Sequence, residues 1–117
     1  MAIESQIFGV HGDALALRSQ RLSLLASNIA NAATPGYKAR DIDFDRAMKL
    51  AGSGRALGDA AESATDYRVP ITPALDGNTV ELSTEQTLFA ENAVQYRTTL
   101  SFLEGRINTL KRALKGE

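Results

Sequence analysis

Ser83 to Lys115 reads STEQTLFAENAVQYRTTLSFLEGRINTLKRALK, and its apolar residues return with a seven-residue repeat. Ala93, Leu100, Ile107 and Leu114 take the a positions. Phe89, Tyr96, Leu103 and Leu110 take the d positions, so the spacing alternates between four and three throughout. This pattern predicts a helix over 83–115 whose seam is built to receive another helix. Ser83 and Gln86 offer a capping box at its start. Lys111, Arg112 and Lys115 place positive charge in the last turn, where it favours the negative end of the macrodipole.

The candidate partner for that seam lies at the other end of the chain. Phe8, Leu15, Leu22 and Ile29 fall seven residues apart within a predicted helix over 3–33, and Leu25 and Ala32 extend the stripe. Leu17 and Leu24 broaden it to a second face, which implies contact with more than one neighbour. Gly9 and Gly12 weaken helix propensity near the start. Thr34-Pro35-Gly36 stops the helix, because proline cannot continue the hydrogen-bond ladder and glycine relaxes the turn.

Residues 34–82 form an extended linker between the helices. Residues 39–45 alternate small or apolar with charged side chains, which suits an extended segment packed on one face. A helical turn is expected over 45–50. Residues 51–66, rich in glycine, alanine and small polar side chains, offer little to bury and read as a flexible loop. Residues 67–71 and 79–82 suggest a short hairpin over 67–82 around Asp76-Gly77-Asn78. Pro70 and Pro73 confine the first of these strands to a sheet edge. The expected fold is therefore mainly α, a single domain over 1–117. Two long terminal helices pack as an antiparallel coiled-coil-like pair, joined by the extended middle. Such a pair has little hydrophobic reserve of its own, so its helices are expected to order fully only in an assembly.

Composition narrows the function. With 117 residues, 44% hydrophobic and 23% charged, the chain has no apolar run long enough to cross a bilayer. Its N-terminus lacks a basic segment followed by an apolar h-region, so any export is expected to use another route. No cysteine is present, which removes disulfides and thiolate chemistry. A formal net charge of −1 argues against nucleic acid as the main partner. His11 is the single histidine and has no serine near it in a nucleophile motif. Asp41, Asp43 and Asp45 open like a calcium loop, but Arg46 and Gly52 stand where that loop requires glycine and glutamate. Gly52-Ser53-Gly54 lacks the Lys-Ser/Thr ending of a phosphate-binding loop. No cofactor, metal site or enzyme activity is expected.

Ser27, Asn28, Asn31 and Thr34 are polar residues beside an apolar stripe, and asparagine is a poor helix former. One reading is a fraying helix end. The other is that the amides bond across a helix interface and fix its register. Phe102 and Val94 lie off the C-terminal seam, and Phe102 is a candidate contact with a second subunit.

The run Ala26-Ser27-Asn28-Ile29-Ala30-Asn31-Ala32-Ala33-Thr34-Pro35-Gly36-Tyr37-Lys38 resembles the N-terminal signature of the bacterial flagellar rod and hook family. The continuation from Ala39 to Phe44 and the segment Leu82 to Asn92 are also similar, so the resemblance covers both ends of the chain. Ser27 stands where many members carry asparagine. Glu91 to Arg97 departs from the Arg-x-Tyr-Glu-x-Asn motif of related members, and the length leaves no room for an inserted β-domain. These departures favour a proximal rod subunit, with the sibling FlgC or a generic coiled-coil adaptor as alternatives. The resemblance implies a structural protein that polymerises helically into the proximal rod, within the periplasmic part of the basal body, and transmits motor torque toward the hook. It also implies export through the flagellar type III apparatus without a cleaved signal. The implied partners are other copies of the chain, FlgC and other rod proteins, the junction protein FliE and the ring protein FliF. Asn28, Asn31, Thr34, Pro35, Gly36 and Tyr37 carry the signature and, with Phe102, are the candidate inter-subunit residues.

Overall fold

The computed structural model describes residues 2–116, with side chains described from residue 9 onward. The order is α1 (Ala2–Ala30), β1 (Arg40–Ile42), α2 (Phe44–Gly52), α3 (Leu57–Ser63), β2 (Thr65–Tyr67) and α4 (Leu82–Lys115). The described chain is elongated, 64 × 26 × 18 Å, because α4 alone spans about 51 Å at 1.5 Å per residue.

Helices α1 and α4 pack against each other with opposite chain directions. His11 lies against Phe102 with ring centroids 4.4 Å apart, Arg18 Nη1 donates to Gln95 Oε1 at 2.8 Å, and Asn28 Nδ2 donates to Glu85 Oε2 at 3.0 Å. Each step forward along α1 is thus matched by an equal step backward along α4. Leu25 and Leu103 are buried in this pair, while Leu15, Leu22, Ile29, Phe89, Ala93, Tyr96, Leu100 and Ile107 are half-buried. The seam opens toward its C-terminal end, where Leu110 is 41% and Leu114 88% exposed. The side chain of Phe8 lies outside the described residues. At Gly9, with φ 47° and ψ −133°, α1 is kinked, a backbone conformation that glycine adopts without Cβ strain.

Two boundaries differ from those the sequence suggests. Helix α4 begins at Leu82 with Glu81 at the cap and no side-chain capping bond, so Ser83 lies inside the helix and the capping box does not form. Gly116, in the left-handed region at φ 77°, ends α4 by bonding its N–H to the carbonyls of Ala113 and Arg112. Helix α1 ends at Ala30, and residues 31–34 continue as tight turns closed by Ala32 N–H to Ile29 O and Thr34 N–H to Asn31 O.

The middle segment folds onto α1. β1 and β2 pair antiparallel in the register Arg40 to Tyr67, Asp41 to Asp66 and Ile42 to Thr65. Between them α2 and α3 close a small core of Leu17, Ile42, Ala47, Ala61 and Ala64, flanked by Leu24, Phe44, Met48 and Leu57. Asp43 caps α2 by accepting from the Arg46 N–H, and its own N–H donates to Ala64 O at 2.8 Å. Leu17 is fully buried because it faces this core rather than α4.

Residues 51–66 therefore contain a helix and the start of a strand instead of a flexible loop. Ala60, Ala61 and Ala64 are individually small but almost wholly covered, since short side chains let α3 approach α1 and α2 closely. The short sheet also has a different second strand from the hairpin expected over 67–82. Thr65–Tyr67 pairs with β1, and the Thr79 N–H goes to Tyr37 O. Pro70 and Pro73 have no N–H to give to a ladder, so the chain leaves the sheet after Arg68. The strap that follows exposes Val69 (85%), Ile71 (87%) and Leu75 (110%).

Candidate functional site

The polar side chains of the signature converge where α1, β1 and the first turn of α4 meet. Asn28 is completely buried there. Its Nδ2 donates to Arg40 O at 2.7 Å and to Glu85 Oε2 at 3.0 Å, while Oδ1 accepts the Arg40 N–H at 3.1 Å. The amide thus meets both backbone groups of Arg40 as a neighbouring strand would, and adds a bond to α4. Tyr37 Oη sits 2.9 Å from Ser27 Oγ and donates to Asn28 Oδ1 at 3.4 Å.

Glu85 is likewise completely buried, and a carboxylate in that position needs charge compensation. Arg68 supplies it, with Nε 2.9 Å from Oε1 and Nη2 3.3 Å from Oε2. Arg68 Nη2 also reaches Asp41 Oδ2 at 3.2 Å. Arg21 then grips Asp41 through Nε at 2.7 Å and Nη2 at 2.9 Å. Two arginines and two carboxylates so bridge α1, β1, the residue after β2, and α4. The Arg21 guanidinium is held above its ordinary pKa by hydrogen bonding to Asp41, against the cost of partial burial. For Arg68 burial is the largest influence and lowers its pKa, but hydrogen bonding and attraction from Glu85 and Asp41 outweigh it, and the net direction is upward.

Two further ties secure the pair. Asn78 Nδ2 lies within 2.7 to 3.1 Å of the carbonyls of Asn31, Ala32 and Thr34, tying the turns that follow α1 to the segment before α4. Asn92 Nδ2 donates to Arg18 O at 2.8 Å, though Asn92 Oδ1 and Arg18 Nε are buried without partners. Arg18 stacks on Phe44 with its guanidinium carbon 4.0 Å from the ring centroid. Burial, then repulsion from Arg21, lower its pKa, opposed by Asp45.

The other signature residues are more peripheral. Asn31 bonds back to Ser27 O at 2.8 Å and accepts from Thr34 Oγ1 at 3.0 Å. Thr34, Pro35 and Gly36 are exposed, with Gly36 at φ 75° making the turn. Phe102 is 50% exposed beside His11. Asn28 faces only its own chain, so within this fold it offers no surface to a neighbour. Arg21, Arg68 and Glu85 are central here but are not singled out by sequence reading, because charges beside apolar stripes usually mark solvated faces, and Asp41 and Asn78 stand out there only as parts of a calcium-loop pattern and a turn. The one available signal was the spacing from Glu85 to Asn92, seven residues apart like the seam itself.

Among the described residues no group of acidic or histidine side chains could hold a metal ion, and no helix is long and apolar enough to cross a membrane. Every charged group of the junction is spent on holding elements of the chain together. The fold and the site together define a class of helical structural subunit, stiffened along its length by an antiparallel helix pair. Comparison with known proteins specifies it. The family described as flagella basal body rod protein matches residues 8–38. The chain is 51% identical over 120 residues to the flagellar basal body rod protein FlgB of Cereibacter sphaeroides, covering 93% of this chain and 94% of the relative. It is 43% identical over 131 residues to FlgB of Aeromonas hydrophila, covering 100% and 99%, and 43% identical over 122 residues to FlgB of Escherichia coli (strain K12), covering 88% of each. The chain belongs to the FlgB family of flagellar basal body rod proteins, and is a structural subunit of the rod, not an enzyme.

Proposed function

We propose that this subunit polymerises helically into the proximal part of the rod and carries torque from the inner-membrane ring toward the hook. The observation that carries this reading is the form of the helix pair. It is long and laterally narrow, ordered by polar bonds at one end, and bears a seam that is open at the other, where Leu110 and Leu114 are exposed. Twisting a bundle of such pairs would shear many packed side chains at once, which close packing resists. Contacts that do not close on themselves would extend it as a shaft.

The partners this role calls for are other copies of the chain, FlgC and other rod proteins, FliE and the FliF ring. Passage through the flagellar type III export apparatus, without a cleaved signal, would bring the chain to its place. Basal bodies purified from cells carrying an epitope-tagged chain provide the test. The tag should remain with the ring-proximal rod fragment when the hook and distal rod are removed. A tag found only with the hook, or absent from basal bodies of motile cells, would overturn the reading.

A further inference from the structure

Two of the uncovered apolar features among the described residues complement each other. One is an open groove of about 500 Å³ between the long helices, lined by Leu22 of α1 and by Ala93, Val94, Tyr96, Arg97 and Leu100 of α4. Its volume equals that of roughly 17 waters, enough for several aliphatic side chains. The other is the strap after Arg68, with Val69, Ile71 and Leu75 almost wholly exposed and Pro70 and Pro73 holding the backbone extended. We propose that the strap of one copy docks in the α1–α4 groove of the next copy. This rests on the rod reading and deepens it, by naming a contact through which subunits meet.

Charge and the strap's own position both favour a second copy as the occupant. Arg97 is the charged residue of the groove, and Asp76 follows Leu75 at the end of the strap. Among the described residues neither forms an ion pair. A strap seated with Leu75 in the groove brings these opposite charges together at the rim. The strap does not fill its own groove. It is pinned at Arg68 by Glu85 and at Asn78 by the end of α1. Between these two ties Val69, Ile71 and Leu75 stay almost wholly exposed. Insertion into a neighbour is heterologous, so a joined pair still has one free strap and one free groove, and the contact propagates. A strap of about seven residues is far smaller than the roughly 20–30 residues per side of a stable standard interface. The contact is weak between two isolated chains and gains strength by repetition.

The absence of native cysteine permits a clean test. The double variant Ile71→Cys, Val94→Cys is expressed in a flagellated host lacking its own copy, and basal bodies are treated with a short bismaleimide. Dimers and higher multimers joined through positions 71 and 94 are expected, while either single variant gives no ladder. Assembled basal bodies that contain the chain but yield no 71–94 link overturn the docking and leave the rod reading intact. Basal bodies that lack even the unsubstituted chain overturn the rod reading itself. Should the double variant fail to assemble, purified Ile71→Cys and Val94→Cys chains are mixed at high concentration and cross-linked. Mixed dimers must then exceed those formed by either chain with an Asp59→Cys control on exposed α3, and equal yields reject the proposal.

Discussion

Replacing Asn28 by alanine removes three well-formed bonds from a site with no access to water. The bond to the Glu85 carboxylate is worth about 1.5–3 kcal/mol and each bond to the Arg40 backbone about 0.5–1.5 kcal/mol, so the expected loss is about 2.5–6 kcal/mol. Domains of this size have about 5–15 kcal/mol in total, which makes the change a large share of the whole. Asn31→Ala is the control. It lies in the same signature and loses two bonds, but both are local, its side chain is only half-buried, and water can replace what is removed. It should cost about 1 kcal/mol or less. Urea unfolding followed by far-ultraviolet circular dichroism separates the two, since α1 and α4 dominate the helical signal. With a slope of about 2 kcal/mol per molar urea, Asn28→Ala should lower the midpoint by roughly 2 M and Asn31→Ala by about 0.5 M or less. Midpoints for the two variants that coincide within error would refute the idea that Asn28 is the centre of the junction.

Other consequences concern the seam and the arginines. Leu103 is 6% exposed, so Leu103→Asp places a carboxylate between α1 and α4 and should abolish both the helical melt and motility, whereas Leu114→Asp, at an 88% exposed position, should leave the melt within about 0.5 kcal/mol of the parent. Retained motility in Leu103→Asp would show that the seam is dispensable. The raised pKa of Arg68 means that its contribution is fully present below the unfolded value and lost only as pH climbs through the still higher folded value. The stability gap between the parent and Arg68→Met should therefore stay constant from about pH 7 to about pH 10, and a gap that closes over that range would contradict it.

The helix pair was legible in the sequence because heptad spacing survives any local choice of packing partner. Phe89 to Leu114 states its own period. The small core was not, because Ala60, Ala61 and Ala64 carry little apolar mass, and a criterion based on bulk reads them as loop. Closeness of approach is a property of three elements together, and no window of sequence contains it. Glu85 and Arg68 were hidden for a similar reason. Each looks like an ordinary surface charge until the fold brings them within 2.9 Å, 17 residues apart along the chain. The hairpin expectation misjudged competition between partners. Both 67–71 and 79–82 have strand-like composition, but the prolines remove donors from the first, while β1 offers Thr65–Tyr67 a complete register.

The polar junction and the leucine seam constrain the helix pair in different ways. Sliding a heptad seam by seven residues replaces one leucine by another, so apolar spacing alone leaves the register of α4 on α1 loosely set. The junction removes that freedom. Moving α4 by one residue shifts Glu85 by about 1.5 Å and turns it by about 100°, away from both Asn28 and Arg68. A buried carboxylate would then lie unpaired, a far larger penalty than any gained by the seam. Among the described residues, three of the five largest fully buried side chains are polar, Glu85, Asn28 and Asn92, and all three bond between α1 and α4 or to elements resting on them. In a rod, an error in register would change the length of every subunit and accumulate along the shaft. Polar specificity at the signature end thus fixes the subunit's dimensions, while Leu110 and Leu114 at the opposite end stay exposed.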